Sequence, residues 1–153
     1  MTTRQVVDHQ LRSHPFMRGM DETDIARIVQ HGRLVEFEAR DRIFAEGELA
    51  DAFYLIRTGL VALRVVDGGA SRKIETLHEG DALGWSWLFP PYEWHFEAVA
   101  ETPVRAIAVD AGALRREFEA DPGFGYRLIA RIAEVMAKRL YATRRHVLNL
   151  MGY

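Results

Sequence analysis

The chain has 153 residues, enough for one domain with a core of its own that needs no disulfide or structural metal. Twenty basic and 22 acidic side chains give a net charge of −2, so its composition provides no global attraction to nucleic acid. The lack of cysteine excludes disulfides, thiolate nucleophiles and iron–sulfur clusters but leaves the redox compartment open. With no apolar leader and no long apolar run, a cytoplasmic protein is expected.

Apolar residues at helical spacing predict two short helices in residues 1–31. Val6, Val7 and Leu11 are expected on one face of the first helix. Asp21 is the expected N-terminal cap of the second, ahead of Ile25, Ile28 and Val29.

Residues 32–109 show the shorter period of β-strands, and glycine-containing turns such as Thr58-Gly59 interrupt it at fairly even intervals. Strands are expected at residues 34–37, 42–44, 53–56, 61–66, 73–77, 96–100 and 104–109. Many short strands with regular turns predict a mainly β fold with flanking helices, a jelly-roll or double-stranded β-helix.

Residues 110–151 return to the helical pattern. Asp110 is expected to cap a short helix, and Asp121-Pro122 to begin a long one that nothing interrupts before Gly152. This helix is longer than a small barrel needs for a lid, so its apolar stripe predicts a homodimer. The alternative is a helix that packs wholly on its own barrel. The predicted dimerisation residues are Leu128, Ile132, Val135, Met136, Leu140 and Val147.

All three tryptophans fall within ten residues, between Trp85 and Trp94. Gly84 and Pro90-Pro91 rule out an ordinary strand there, because proline donates no ladder hydrogen bond and glycine has no side chain to pack. A structured loop is therefore expected. Two interpretations stay open: an aromatic plug in the chain's own core, or a pocket or patch that binds a ligand or partner.

The order of these elements, with Glu46–Glu48, Phe53–Ile56, Thr58–Val61 and Glu79–Gly84, resembles the cyclic nucleotide-binding domain over roughly residues 15–145. The resemblance implies a single domain, residues 1–153, with a phosphate-binding cassette late in the β-roll and a final helix that closes over the bound base. The cassette residues would be Ala82, Leu83, Gly84, Trp85, Ser86, Trp94 and His95. The pocket wall or lid would be Ile43, Leu55, Leu63, Leu140 and Tyr141.

The cassette departs from the family pattern at both charged positions. In the family, a glutamate accepts a hydrogen bond from the ribose 2′-hydroxyl and an arginine pairs with the cyclic phosphate. Alignment places Trp85 at the glutamate and Trp94 at the arginine. An unpaired phosphate would lose about three orders of magnitude in affinity. We therefore expect a non-enzymatic regulatory or sensor domain with a remodelled aromatic pocket, which does not bind cyclic AMP or cyclic GMP in the usual way.

Two other functions are compatible with the sequence. One is genuine cyclic nucleotide binding through His95 and the backbone amides of residues 82–86. The other is a protein–protein interaction module that uses exposed aromatic residues of the loop. Its anchors would be Trp87, Phe89, Pro90, Pro91 and Tyr92. No specific cofactor is assigned, and the expected occupant is a cyclic nucleotide or another small ligand.

Other chemistry finds little support. A cupin-type metal site would need His78, His95 and Glu97 together, yet the usual His-x-His pair is missing, so no metal is expected. The basic cluster at Lys138-Arg139 and Arg144–His146 is typical of a solvated helix face, with contact to nucleic acid or an acidic partner as the alternative. No helix-turn-helix segment follows the long helix, so sequence-specific DNA binding is not expected. Membrane binding is not expected either, because no long apolar run is present. The sequence does not identify the ligand or the protein partner.

Overall fold

The structure is a computed structural model that describes residues 2–152. Residues 1 and 153, the ends of the predicted domain, lie outside the described range. The helices are α1 (Thr3–Arg12), α2 (Glu22–Gln30), α3 (Ala111–Ala120) and α4 (Pro122–Leu150), with 3₁₀ turns at Pro15–Met17 and Ser86–Leu88. The strands are β1 (Gly32–Phe37), β2 (Arg42–Phe44), β3 (Ala52–Thr58), β4 (Val61–Asp67), β5 (Ala70–Leu77), β6 (Ala82–Leu83), β7 (Glu97–Ala100) and β8 (Val104–Asp110).

The strands form two four-stranded antiparallel sheets. One has the order β1-β8-β3-β6 and the other the order β2-β7-β4-β5. Neighbours along the chain often lie in different sheets, as the predicted jelly-roll requires. The expected mainly β fold with flanking helices is therefore confirmed. Contacts divide the chain into two units, residues 1–116 and 117–153, and the single domain over residues 1–153 stays a prediction.

Each predicted strand overlaps a strand of the structure, and two of these strands run through the core. Residues 52–56 of β3 and 106–109 of β8 are buried without interruption, and the two strands pair with each other. The sequence analysis missed β6, which is too short to show a period of two. Its register is set by the pairs Tyr54–Leu83 and Leu55–Ala82, and it brings the candidate cassette beside β3.

Most of the predicted caps form. The Asp110 carboxylate accepts from the Ala113 amide at 2.8 Å, and that of Asp121 accepts from the Phe124 amide at 3.3 Å. Asp21 precedes α2 as predicted, but its side chain accepts no helix N–H, so that capping bond was wrong. Acidic residues in the first turn of α2 face the positive end of the helix dipole instead.

The second unit contains the predicted long helix, α4, which runs without a break over 29 residues. Near its start the Phe118 ring packs on Phe124, with centroids 5.8 Å apart. The Phe118 side chain would lie 3.1 Å from a Cβ at Gly125, so glycine allows the close approach. Among residues 2–152, no helix has the length and apolar character that a membrane span requires.

Candidate functional site

Trp94 occupies the interior of the candidate cassette. Its side chain is buried and stacks on the Phe44 ring, with centroids 3.8 Å apart and planes 5° from parallel. The edge of the indole lies 2.5–2.6 Å from where a Cβ on Gly84 would stand. Gly84 also has φ +98°, a conformation that residues other than glycine rarely adopt. The indole and the glycine backbone are thus fitted to each other.

The backbone holds Trp94 in place from both sides. Its amide donates to the Glu48 carbonyl at 2.9 Å, and its carbonyl accepts from the Gly47 amide at 2.8 Å. Two further rings complete an aromatic cluster: Tyr54 lies 6.4 Å from Trp94, and Phe96 lies 5.8 Å from Phe44. Burial, followed by the nearby Asp51 charge, raises the pKa of the Tyr54 phenol. The cluster is therefore uncharged at neutral pH.

Trp87 also belongs to the core. Its side chain is fully buried, its Nε1–H donates to the Gly84 carbonyl at 3.2 Å, and its ring lies 5.5 Å from Phe53. The interpretation of Trp87 as an exposed anchor was therefore wrong. The 3₁₀ turn at Ser86–Leu88 directs the indole inward, and the bond to Gly84 satisfies its only polar atom.

Three cassette residues meet at the outer side of the loop. The Trp85 ring stacks over the His95 imidazole at 5.2 Å, with planes 20° apart. The buried Ser86 hydroxyl forms a 3.0 Å hydrogen bond with Nδ1 of His95. His95 itself is exposed. Because Ser86 occupies Nδ1, only Nε2 of the imidazole is left for an external group.

A family model for the cyclic nucleotide-binding domain matches residues 34–121 of the chain. The chain belongs to the cyclic nucleotide-binding domain family. A CRP-like cAMP-activated global transcriptional regulator of Mycobacterium tuberculosis is 27% identical over 146 residues. The match covers 95% of this chain and 63% of that regulator, so the chain spans less than two thirds of its length.

Solved structures show the same fold. A putative cyclic nucleotide-binding protein from Geobacter metallireducens matches with a TM-score of 0.77 at 23% identity, covering 92% of this chain and 99% of that one. A cyclic nucleotide-binding domain from Methylobacillus flagellatus matches with a TM-score of 0.79 at 14% identity, covering 96% of this chain and 85% of that one. The Thermus thermophilus catabolite activator protein matches with a TM-score of 0.69 at 22% identity, covering 90% of this chain and 63% of that one.

The remaining predicted residues of this cyclic nucleotide-binding domain have different surroundings. Ala82 and Leu83 are buried in β6, and Leu55 and Leu63 are buried in β3 and β4. Ile43 in β2 is half-buried. In α4, Leu140 and Tyr141 are 66% and 65% exposed, and their part in a lid stays a prediction.

Sequence reasoning missed Arg115, which lies in α3 and holds the aromatic loop. Its Nη1 donates to the Trp87 carbonyl at 2.7 Å, and its guanidinium lies 4.1 Å above the centre of the Tyr92 ring. Tyr92 has φ +58°, an unusual conformation for a residue with a side chain. No sequence signal links positions so far apart, because the contact depends on where α3 begins relative to the loop.

Phe44, the stacking partner of Trp94, was assigned only to a strand, since one apolar residue in a short strand does not reveal its neighbour. Among residues 2–152, no group of three His, Asp or Glu side chains is placed to hold a metal ion. His78 pairs instead with Asp81, with Nδ1 3.1 Å from the carboxylate.

Proposed function

We propose that this chain is a cytoplasmic, non-enzymatic regulatory or sensor domain whose cassette has become an aromatic site that does not bind cyclic AMP or cyclic GMP in the usual way. The observation that carries the proposal is the packing of Trp94 between Phe44 and Gly84. The family resemblance places the phosphate-pairing arginine at this position. An indole there supplies no positive charge.

The energetic argument combines two costs. A nucleotide phosphate entering this space would displace a buried indole, and loss of such a ring from a core costs about 3–5 kcal/mol. The phosphate would then lack the charge-assisted bonds that offset its desolvation. Trp85, at the glutamate position, stacks on His95 and has no carboxylate for the ribose hydroxyl. Both costs favour a cassette that is filled by its own side chains.

Titration with cyclic AMP and cyclic GMP, followed by tryptophan fluorescence and calorimetry, tests the proposal. All three tryptophans lie within residues 85–94, so binding in the cassette would change the tryptophan emission. We expect no saturable change up to millimolar nucleotide. Saturable binding with matching heat would contradict the proposal.

A double variant tests the assigned cause. Trp85→Glu with Trp94→Arg restores both charged groups, and we expect measurable cyclic nucleotide affinity by calorimetry. Trp85→Gln with Trp94→Leu is the matched control, because it removes the same rings without restoring charge. Equal binding by both variants would show that space rather than charge limits the site.

Genuine nucleotide binding through His95 is the second candidate. In its favour, the imidazole is exposed beside the cassette and keeps Nε2 available. If the natural chain binds a nucleotide, His95→Ala should abolish that affinity. An unchanged affinity in His95→Ala would eliminate this candidate.

A protein–protein module is the third candidate, favoured by Phe89, which is 48% exposed next to the exposed Pro90-Pro91. Phe89 also lies 5.7 Å from the Trp85 ring, so the two could form one anchor. Phe89→Ser should release a co-purifying partner, whereas Ile74→Ser, which changes a similarly exposed residue on β5, should retain it. Retention by both variants would count against the loop as the anchor.

We further propose that α4 forms a homodimer. Residues at alternating spacings of three and four, all of them apolar except Thr143, follow the a and d positions of a coiled coil. We call this set the heptad seam: Tyr126, Ile129, Ala133, Met136, Leu140, Thr143, Val147 and Leu150. Of the predicted dimerisation residues, Leu128 and Ile132 are already buried in a single chain and Val135 lies off this seam, so the interface proposed here omits all three.

Sedimentation velocity tests the dimer with a matched pair of variants. Leu140 and Tyr141 are equally exposed in the protomer, but only Leu140 lies on the heptad seam. Leu140→Glu should give a monomer near 17.5 kDa, while Tyr141→Glu should stay dimeric. A mass near 17.5 kDa for the natural chain at micromolar concentration would contradict the proposed homodimer.

A further inference from the structure

We propose that His14 is a pH-sensitive switch: protonation of its imidazole in mildly acidic solution releases the 3₁₀ turn Pro15–Met17 from β3 while the rest of the β-roll stays folded. The switch does not depend on what the cassette binds. Its basis is the hydrogen bonding and burial of the His14 ring and the contacts that hold the turn on β3.

Both nitrogens of the His14 ring have fixed roles. Nδ1 lies 3.1 Å from the Phe16 amide, and because a backbone N–H can only donate, Nδ1 accepts that bond. The ring hydrogen is therefore on Nε2, which donates to the Ile56 carbonyl at 2.9 Å. As a neutral ring, His14 thus caps the turn Pro15–Met17 and joins it to β3.

A second proton on the His14 ring would break this arrangement. It would sit on Nδ1 and face the Phe16 N–H, so two donors would point at each other and the cap would be lost. His14 is only 2% exposed, so water does not replace the lost partner. The Ile56 carbonyl also accepts from the Gly80 amide at 3.1 Å, so β3 keeps a bond at this point when the ring leaves. Protonation therefore weakens the turn more than the strand.

The charged groups around the ring lie on β3, on the turn before β6 and on the helices that flank Pro15–Met17. Arg57 disfavours a positive imidazole, whereas Asp81 favours one. Asp81 is already engaged with His78, whose amide donates to it at 2.9 Å and whose Nδ1 lies 3.1 Å away. The flanking helices carry exposed groups: Asp8, His9, Arg12 and Glu22.

Burial outweighs the neighbouring charges and lowers the pKa of His14. The closed turn therefore holds a neutral ring. A released ring in water instead takes up a proton below about pH 6.5, the ordinary pKa of histidine. Acid thus favours the released state.

The turn also connects His14 to the aromatic loop. Phe16 and Met17 are buried, and the Phe16 ring lies 5.2 Å from Phe53 with the planes at 71°. Phe53 in turn lies 5.5 Å from Trp87. Release of the turn would therefore uncover one side of the ring against which Trp87 packs.

Amide hydrogen exchange of the full chain, measured by NMR at pH 7.5 and pH 5.5, tests the switch. The Met17 and Arg18 amides donate to the carbonyls of His14 and Pro15. Relative to intrinsic exchange at the same pH, these two amides should be less protected than the amides of β4 at both pH values. Their protection should fall about tenfold at the lower pH, because the released ring binds a proton there.

Three outcomes in the natural chain would overturn the proposal or part of it. Equal protection of the turn and of β4 would mean that the turn opens only on global unfolding, and would overturn the switch. A hydrogen on Nδ1 of His14 at pH 7.5, detected from the nitrogen chemical shifts of the ring, would also overturn it. The Trp87 Nε1–H should exchange faster together with the turn, and exchange at the rate of β4 would overturn the link to the loop.

Two matched variants assign the effect to His14. His14→Asn keeps a good capping acceptor for the Phe16 amide but does not titrate, so protection of the turn should not vary between the two pH values. His9→Asn makes the same substitution at an exposed position of α1 and should respond as the natural chain does. A full response in His14→Asn, or its loss in His9→Asn, would overturn the assignment.

Discussion

Trp94 and Trp85 stand at the two ends of one aromatic segment, yet they have opposite surroundings. Trp94 is buried, stacks on Phe44 and contacts the backbone of Gly84. Trp85 is half-buried and stacks on His95, an exposed residue. Trp94 therefore fits the interpretation of a core plug, whereas at the partly exposed Trp85 the interpretation of a binding patch stays a prediction. A ring's neighbours, rather than its presence in a motif, determine its role.

Replacement of each tryptophan by alanine is the strongest test of this contrast. Trp94→Ala should lower the free energy of unfolding by about 3–5 kcal/mol, because a buried ring and its stacking are lost. Trp85→Ala should cost about 1 kcal/mol, since much of its ring already faces water. Urea unfolding monitored by circular dichroism measures both. Equal losses would mean that the segment is uniformly buried in solution.

Gly84→Ala sharpens the description of the buried end. The positive φ should cost about 1–2 kcal/mol, and the contact with Trp94 about 1–3 kcal/mol more. In a Trp94→Leu background the contact should be relieved while the backbone cost remains, so the two substitutions should be less than additive. Strict additivity would contradict the contact between Gly84 and the indole.

Arg115→Ala tests how the loop is held from α3. Loss of the bond to the Trp87 carbonyl and of the contact with Tyr92 should cost about 1–3 kcal/mol of unfolding free energy. Arg116→Ala, at the exposed neighbouring position, should change it by less than about 0.5 kcal/mol. Similar effects for both variants in urea unfolding would show that Arg115 makes no special contact.

The contrast between buried and exposed positions extends to histidines, and pH tests it with a smaller effect. His14 is buried, its Nδ1 accepts from the Phe16 amide and its Nε2 lies 2.9 Å from the Ile56 carbonyl. Burial, more than any neighbouring charge, lowers the pKa of His14. The unfolded chain therefore binds a proton at higher pH than the folded chain does. The contribution of His14 to stability should be constant above about pH 6.5, the unfolded pKa, and should fall as the pH drops from there toward the folded pKa.

Urea unfolding between pH 8 and pH 5 measures this loss. His14→Gln should be less stable at pH 8 but should lose less on acidification than the natural chain. An unchanged pH profile in His14→Gln would assign the acid sensitivity to other groups.

Much of the fold could be predicted because local chemistry decides it. The apolar period of two in residues 32–109, the turn at Thr58-Gly59 and the caps at Asp110 and Asp121 act over a few residues each. The two-residue β6 was not predicted, because its position is set by pairing with β3. The capping bond of Asp21 was wrong because a suitable residue at the right position still needs a side-chain orientation that sequence does not specify.

The sequence by itself determined the family pattern, the β-roll with its flanking helices and the long α4. It also determined that tryptophan stands at the two positions where the resemblance leads one to expect charged ligand-binding residues. Only the tertiary structure decided that Trp94 and Trp87 fill the interior, that Arg115 holds the loop, and that His95 bonds to Ser86. The physical reason is the separation along the chain over which each interaction acts. Periodicity, turns and caps act between near neighbours in the chain, whereas packing joins residues such as Phe44 and Trp94, which only the completed sheets bring together.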